Sequence, residues 1–336
     1  MPPALSIVII GRNEGQRLNR CLQSVGLVQG VEGKPELIYV DSASTDGSPQ
    51  AAANFDAHVI ILHGGTQTAA RARNAGWQRA SAPYILFLDG DTILNPHFAQ
   101  TALKVLESDP AIAAVWGHRR ELYPEHSTYN RLLDLDWIYP AGDTDFCGGD
   151  VLMRRCALAQ VEGYDPALIA GEEPELCRRL RAHAYRIVHI DTAMTRHDLN
   201  MTRFSQYWRR AVRAGYAYAE VSSRFRGSAD PMWLQESKRN VRSGSFWIAW
   251  FVAAGGLLAF RSLWILPWFA LLIVLSARSA WKARSRAPGQ RGLLMLYGIH
   301  SQLQQIPILV GQMRYSLDRH SRKQPTQIEY KEEASA

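Results

Sequence analysis

The run Leu86-Phe87-Leu88-Asp89-Gly90-Asp91 ends an apolar stretch in two carboxylates that flank a glycine. A buried strand delivering Asp-x-Asp at its carboxyl end would set hard oxygen ligands at the mouth of an open sheet, where α/β proteins bind ligands. Such ligands suit Mg²⁺ or Mn²⁺, and that cation in turn suits the phosphates of a substrate. The same triplet is also an ordinary turn, so the residues around it decide between the two readings. Asp41 closes a second apolar run and can accept hydrogen bonds from a nucleotide's base or ribose, with Ser44 and Asp46 close behind. Asp46-Gly47 reads equally well as a turn and helix cap. Arg12 and Asn13 follow the first apolar run and can contact a nucleotide, while Arg73 can face phosphates from a helix. Gly148 and Gly149 would let the backbone approach a donor sugar or an acceptor closely, because glycine has no Cβ.

These residues need a frame. Residues 5–10, 36–41, 58–62 and 84–88 are short apolar or β-branched runs, and helical patterns follow at 15–25, 48–54, 67–80 and 96–107. That alternation predicts a Rossmann-like α/β fold with a mostly parallel sheet covered by helices on both faces. Polar segments follow strands one, two and four, so they are expected to converge on one crevice. Further on, strands are expected at 111–117, 151–153 and 186–190, and helices at 129–139, 171–184 and 202–225. Pro174 and the acids Glu172, Glu173 and Glu175 mark the start of the helix at 171.

The chain has 336 residues, 47% hydrophobic and 21% charged, which allows one large domain with an appendage or two domains. A net charge of +7 and a pI near 9.3 suggest an anionic partner: nucleic acid, a phosphorylated substrate or an acidic membrane surface. Four scattered cysteines without Cys-x-x-Cys pairs fit a reducing compartment and argue against a zinc site or disulfide framework. No basic segment leading into a long apolar one opens the sequence, so the catalytic part is expected in the cytosol.

From Phe246 to Leu275 and on to residue 277 the chain is apolar except for Arg261, with Pro267 inside the run. As one straight helix it would span about 48 Å, more than a hydrocarbon core of roughly 30 Å. Split at Arg261-Ser262 it gives a membrane hairpin or two short tilted spans. Lys238, Arg239 and Arg242 precede it and Arg278, Lys282, Arg284 and Arg286 follow, which favours both ends on the cytosolic side. The alternative is a pair of hydrophobic core helices. A basic linker is expected at 226–245, a basic loop and an interfacial amphipathic helix within 278–318, and a polar disordered tail at 319–336. The arginines Arg203, Arg209, Arg210, Arg213, Arg224 and Arg226, interleaved with aromatics, could bind a diphosphate, anionic headgroups or water. The apolar legs next in sequence favour membrane lipids, and nucleic acid ranks last as a partner.

The pieces Ser6-Ile-Val-Ile-Ile-Gly-Arg-Asn-Glu14, Val40-Asp-Ser-Ala-Ser-Thr-Asp-Gly47, Ala70-Arg-Ala-Arg-Asn-Ala-Gly76, Phe87-Leu-Asp-Gly-Asp91, Gly148-Gly149 and Gly171-Glu-Glu-Pro-Glu-Leu176 stand in a telling order. In content and spacing the chain resembles a family-2 glycosyltransferase of the GT-A fold, of the membrane-associated bacterial type, over roughly residues 5–225. The resemblance implies sugar transfer, usually with inversion, from a nucleotide-diphospho-sugar to a glycan or lipid-linked acceptor in cell-envelope glycan synthesis. A UDP-sugar is expected by frequency within the family. It implies donor contacts at Arg12, Asn13, Asp41, Ser44, Asp46, Arg73, Asp89 and Gly90, with Gly148 and Gly149 on the acceptor side. It implies a metal on Asp91 and Asp89, with His197 as a further ligand. The base position falls on Glu173, with Glu172 as substitute, and here the chain departs from the family's usual Glu-Asp pair. Gln206-Tyr-Trp-Arg-Arg210 faintly echoes a helix of processive synthases, yet ends in arginine and supports no inference of processivity. Two rivals share the acidic sheet: a nucleotidyltransferase, and a catalytically degenerate membrane scaffold.

Overall fold

The computed structural model describes residues 3–261 and 263–321. In chain order the elements are β1 (Leu5–Gly11), α1 (Gln16–Val25), β2 (Glu36–Asp41), α2 (Ser48–Ala53), β3 (His58–Ile61), α3 (Ala69–Arg79), β4 (Tyr84–Asp89), β5 (Thr92–Leu94), α4 (Phe98–Ser108) and β6 (Ile112–Glu121). Then come α5 (Thr128–Asp136), β7 (Gly142–Asp143), β8 (Val151–Arg154), α6 (Arg155–Gln160), α7 (Glu172–Ala182) and β9 (Arg186–His197). The C-terminal part is helical: α8 (Phe204–Arg224), α9 (Leu234–Ala259), α10 (Ile265–Lys282), α11 (Arg291–Leu303) and α12 (Gln305–His320). Two compact units result. Among the described residues, one holds those up to Tyr123 together with Trp137–Asn200; the other holds Pro124–Asp136 and those from Met201 to Ser321.

The first unit is built on a sheet of order β3-β2-β1-β4-β8-β6-β9-β5, with β7 beside β9. Strands β1 to β4 pair in parallel, as their unbroken apolar runs predict, because a strand apolar on both sides belongs inside a helix-covered sheet. Ile7, Val8, Ile9, Ile38, Val40, Leu86, Phe87 and Leu88 are all fully buried. Register places the chemistry. Gly11 pairs with Asp41 and Ile10 with Asp89, so three strands end at one level and their loops meet there.

Beyond β4 the pattern changes. β8 runs antiparallel to β4 and β6, β6 and β9 are parallel with register shifts, and β5 is antiparallel to β9. Strands β6 and β9 are longer than the expected 111–117 and 186–190, reaching Glu121 and His197. Their outer halves (His118-Arg-Arg-Glu121 and Asp191-Thr-Ala-Met-Thr-Arg-His197) are too polar to read as strand, and the pairing between them supplies the order. The helix expected at 129–139 stops at Asp136.

The second unit is all helix. Within it α8 packs on α12: Gly215 faces the Ile308 carbonyl and Gly311 the Val212 carbonyl, so closely that a Cβ would collide. Small residues let these backbones touch. The expected basic linker at 226–245 is helical from Leu234, since Lys238, Arg239 and Arg242 are good helix formers and no proline interrupts them. The apolar run breaks after Ala259, where Arg261 takes φ +51; Ser262 lies outside the described residues. Helices α9 and α10, 26 and 18 residues long, are long and apolar enough to cross a membrane. They carry exposed Val252, Leu258, Leu266, Ile273 and Val274. Trp250 stacks on Trp268, whose indole N–H donates to the Trp250 carbonyl at 3.1 Å. The tail from 322 lies outside the described residues.

Candidate active site

The loops after β1 and β2 are stitched together by their own polar groups. The Asn13 amide donates to Ser44 Oγ at 2.9 Å, and Asn13 Oδ1 accepts from the Thr45 amide at 2.8 Å. Asn13 takes φ +53, a left-handed conformation that asparagine tolerates better than most residues. Asp41 is fully buried and accepts from the Ser44 amide (2.7 Å), Ser44 Oγ (2.6 Å) and the Tyr39 hydroxyl (2.9 Å). Asp46 accepts from the Gly15 and Ser48 amides at 2.8 and 3.0 Å, so its carboxylate ties the two loops and turns the chain into α2. Arg12 is exposed beside them. A carboxylate offers about four acceptor positions, so Asp41 retains capacity for one more donor.

Strand β4 ends the same level with Asp89, and Gly90 donates its amide to the Ile10 carbonyl at 2.8 Å. Asp91 then turns inward: it is 2% exposed, and its carbonyl accepts from the Asp198 amide at 2.9 Å. Pairing of Thr92 with His197 brings the end of β9 alongside, and His197 Nε2 comes within 3.4 Å of Asp91 Oδ1. Arg20 holds this segment through Asp198 (2.6 Å) and Tyr123 (2.8 Å), and the Trp137 ring lies 5.3 Å from that of His197. Asp89, Asp91 and His197 each offer one ligand atom, all within 4.8 Å of one another. Two hard oxygens and an imidazole nitrogen on rigid, mostly buried strand ends fit Mg²⁺ or Mn²⁺.

Arg73 links this cluster to the acids of α7. Its buried guanidinium donates to Asp89 Oδ1 at 3.0 Å, to Glu172 Oε1 at 3.1 Å and to Glu173 Oε1 at 3.0 Å. Burial works against its charge, but the carboxylates of Glu173, Asp89 and Glu172 hold the proton firmly. Helix α3, which carries Arg73, is docked by Asn74. That side chain donates to the Tyr164 carbonyl at 2.7 Å and accepts from its amide at 2.9 Å. Burial, and then the charge of Glu172, push the Glu173 carboxyl up to about 7. Gly149 packs against all of this. A Cβ there would run into Arg73 Nη2 and stand 3.1 Å from Asp89 Oδ2 and 3.2 Å from Glu173 Oε1.

The structure thus joins Arg73, Asp89, Asp91, Gly149, Glu172, Glu173 and His197 into one site, with Asn13, Asp41, Ser44 and Asp46 on loops at the same sheet edge. Sequence reasoning assigned no role to Asp150, although it directly follows Gly148-Gly149. Buried, it accepts from the Asp89 amide at 3.0 Å and from the Thr195 hydroxyl at 2.8 Å, fixing the end of β4. Burial and the Asp89 charge raise its carboxyl to about 6. Trp137 was also missed, because its ring reaches the site only through the fold and not through any motif.

Residues 6–160 match the family described as glycosyl transferase family 2. The chain is similar to the glycosyltransferase AglE of Haloferax volcanii, 28% identical over 38% of this chain and 42% of that protein. It is also similar to the pre-mycofactocin glycosyltransferase of Mycobacterium tuberculosis, 24% identical over 75% of this chain and 53% of the relative. The chain spans about half the length, or less, of these curated relatives. Among solved structures it superposes on the mannosyltransferase PcManGT of Pyrobaculum calidifontis, solved with GDP-Man and Mn²⁺. The TM-score is 0.59 at 18% identity, covering 95% of this chain and 88% of that one. It also superposes on S. aureus TarS 1-349 in complex with UDP-GlcNAc, with TM-score 0.50 at 13% identity over 94% and 92% of the two chains. Residues 6–160 thus match glycosyl transferase family 2, and the chain shares the GT-A fold of these solved glycosyltransferases.

Proposed function

We propose that the protein is an inverting glycosyltransferase that moves a sugar from a nucleotide-diphospho-sugar to a lipid-linked or membrane-proximal acceptor in cell-envelope glycan synthesis. The observation that carries this reading is the span of Arg73: one guanidinium bonds both Asp89 and the Glu172-Glu173 pair. A leaving-group end and a proton-accepting end therefore face the same small space. The relatives' names and the GDP-Man and UDP-GlcNAc of the two solved neighbours support a nucleotide-sugar donor; a UDP-sugar is the expected one.

Each residue then has a part. Asn13, Asp41 and Ser44 meet the nucleoside, with Arg12 at the rim and Asp46 bracing the loop. Asp89, Asp91 and His197 would hold Mg²⁺ or Mn²⁺, which when bound neutralises charge developing on the departing diphosphate. Gly148 and Gly149 admit the acceptor. Glu173 accepts the proton of the attacking hydroxyl, as a base poised near neutrality should. Arg73 keeps that carboxylate aimed, and Glu172 completes the charge balance. The exposed apolar faces of α9 and α10, flanked by basic residues, support attachment to the cytoplasmic face of the plasma membrane.

The test is to incubate detergent-purified protein with lipid extract, Mn²⁺ and a panel of sugar nucleotides, and to follow products by mass spectrometry. Release of nucleoside diphosphate with a glycosylated product is expected. Turnover surviving Asp89→Asn with Asp91→Asn, or release of pyrophosphate instead, would overturn the reading.

A further inference from the structure

Most guanidiniums of the first unit are spent. Arg20 is bonded to Asp198 and Tyr123, Arg73 to three carboxylates, Arg154 to carbonyls, Arg179 to Glu175, and Arg186 to Asp109 and Asp143. Arg119 differs. It stands half-buried on β6, and among the described residues no hydrogen bond or ion pair engages its guanidinium, although its charge acts on the buried Asp150 carboxylate nearby. Instead its Cζ lies 4.5 Å from the centroid of the buried Trp137 ring. A Cβ at Gly148 would be 3.6 Å from Cζ, Nη1 and Nη2 alike, so the glycine backbone lies over the guanidinium face. Flat contacts of this kind fix the plane of the side chain and leave its N–H edge available. A planar fork already held in place matches the oxygens of a phosphate, and little side-chain freedom remains to be lost on binding.

Its placement says which phosphate. A Cβ on Gly148 would stand 3.6 Å from the Arg119 guanidinium, and one on the next residue, Gly149, 3.2 Å from Glu173 Oε1, so cation and candidate base flank adjacent positions of the glycine pair. In the sheet, β8 stands between β4, which carries Asp89, and β6, which carries Arg119; the Asp41 loop lies on the other flank of β4. The nucleoside contacts and Arg119 are therefore on opposite sides of the diphosphate anchor. We propose that Arg119 on its Trp137 platform binds a phosphate of the acceptor, so that the acceptor is a phosphate or diphosphate compound anionic close to the hydroxyl it presents to Glu173. This rests on the transferase reading above and names its acceptor class. A lipid-borne diphosphate and a soluble sugar phosphate share this chemistry.

Two measurements on the full-length, detergent-purified protein test the proposal. First, pyrophosphate is titrated calorimetrically in EDTA into wild type, Arg119→Gln and Arg119→Lys. The glutamine variant should bind at least about tenfold more weakly and the lysine variant only a few-fold more weakly, with melting temperatures unchanged. Second, under turnover with Mn²⁺, Arg119→Gln should raise KM for the acceptor about tenfold and leave KM for the sugar nucleotide alone. Comparing a prenyl-diphosphate-linked sugar with the corresponding soluble sugar phosphate identifies the source. Wild-type protein that binds no pyrophosphate, binding that ignores residue 119, or a raised donor KM would each overturn the proposal. So would equal use of an uncharged acceptor. Sugar-nucleotide turnover persisting in those cases leaves the transferase reading standing; loss of nucleotide binding with Arg119-dependent pyrophosphate binding sinks that reading and keeps the anion site.

Discussion

If Glu173 is the base, the rate must follow its ionisation. Burial and the neighbouring Glu172 charge raise its carboxyl to about 7. The active, ionised fraction then rises from about one-tenth at pH 6 to about nine-tenths at pH 8, so kcat/KM should climb about tenfold over that interval. Glu172→Gln tests the assignment: removing the second cause of the Glu173 shift should move the acid limb to lower pH. Folding carries the opposite sign. A carboxyl at about 7 in the fold, against its ordinary 4.5, favours the folded state fully below pH 4.5, and that contribution is lost as pH rises to 7. Glu173→Gln should therefore flatten the decline in stability between pH 4.5 and 7 while abolishing the rate limb. The assay is nucleoside diphosphate release at saturating Mn²⁺ from pH 5.5 to 9, paired with thermal denaturation over pH 4.5 to 7. An acid limb that Glu172→Gln leaves in place, or that Glu173→Gln retains with near-normal turnover, would refute the assignment.

Other consequences can be checked directly. Asp91→Asn replaces one of the two carboxylates near His197 with a neutral amide; Mn²⁺ affinity by calorimetry should fall at least about tenfold and transfer should fall with it. Arg73→Met leaves three buried or half-buried carboxylates without their cation, which should cost about 3–5 kcal/mol and lower the melting temperature on the order of 10 °C, whereas Glu172→Gln should cost much less. Gly149→Ala should reduce turnover strongly by displacing the Arg73 fork from Asp89, with a nearly normal far-ultraviolet circular dichroism spectrum. Asp150→Ala removes the buried acceptor of the Asp89 amide and of the Thr195 hydroxyl and should lower Mn²⁺ affinity and turnover, although Asp150 itself binds no ligand in this scheme.

What the sequence disclosed and what it withheld divide along physical lines. Strands β1, β2 and β4 are largely buried, so their apolar runs announce them, and Asp41 and Asp89 ending β2 and β4 announce loops at the site, whereas β3 at the edge is half-exposed. The acids opening α7 are legible because helix N-termini favour carboxylates whether or not they do chemistry. The far side of the sheet is different. The outer halves of β6 and β9 are polar and held by pairing, so nothing local marks them, and Arg119 stands opposite Thr195 only through that register. Asp150 was visible as a residue and silent as a function, because its two hydrogen bonds join β4 and β9, which are distant in sequence.

The departure from Glu-Asp to Glu172-Glu173 finds its explanation in the same packing. A glutamate at the proposed base position extends one methylene further than aspartate, and that length needs room. Gly149 supplies it, since Glu173 Oε1 lies 3.2 Å from where its Cβ would be. Arg73 fixes the extended carboxylate at 3.0 Å, so the longer side chain gains reach without keeping its full freedom. The glycine, the buried arginine and the longer acid therefore meet in one packed cluster. Glu173→Asp, nominally a return to the family's usual pair, would draw the carboxylate back from Arg73 and leave the space beside Gly149 unfilled.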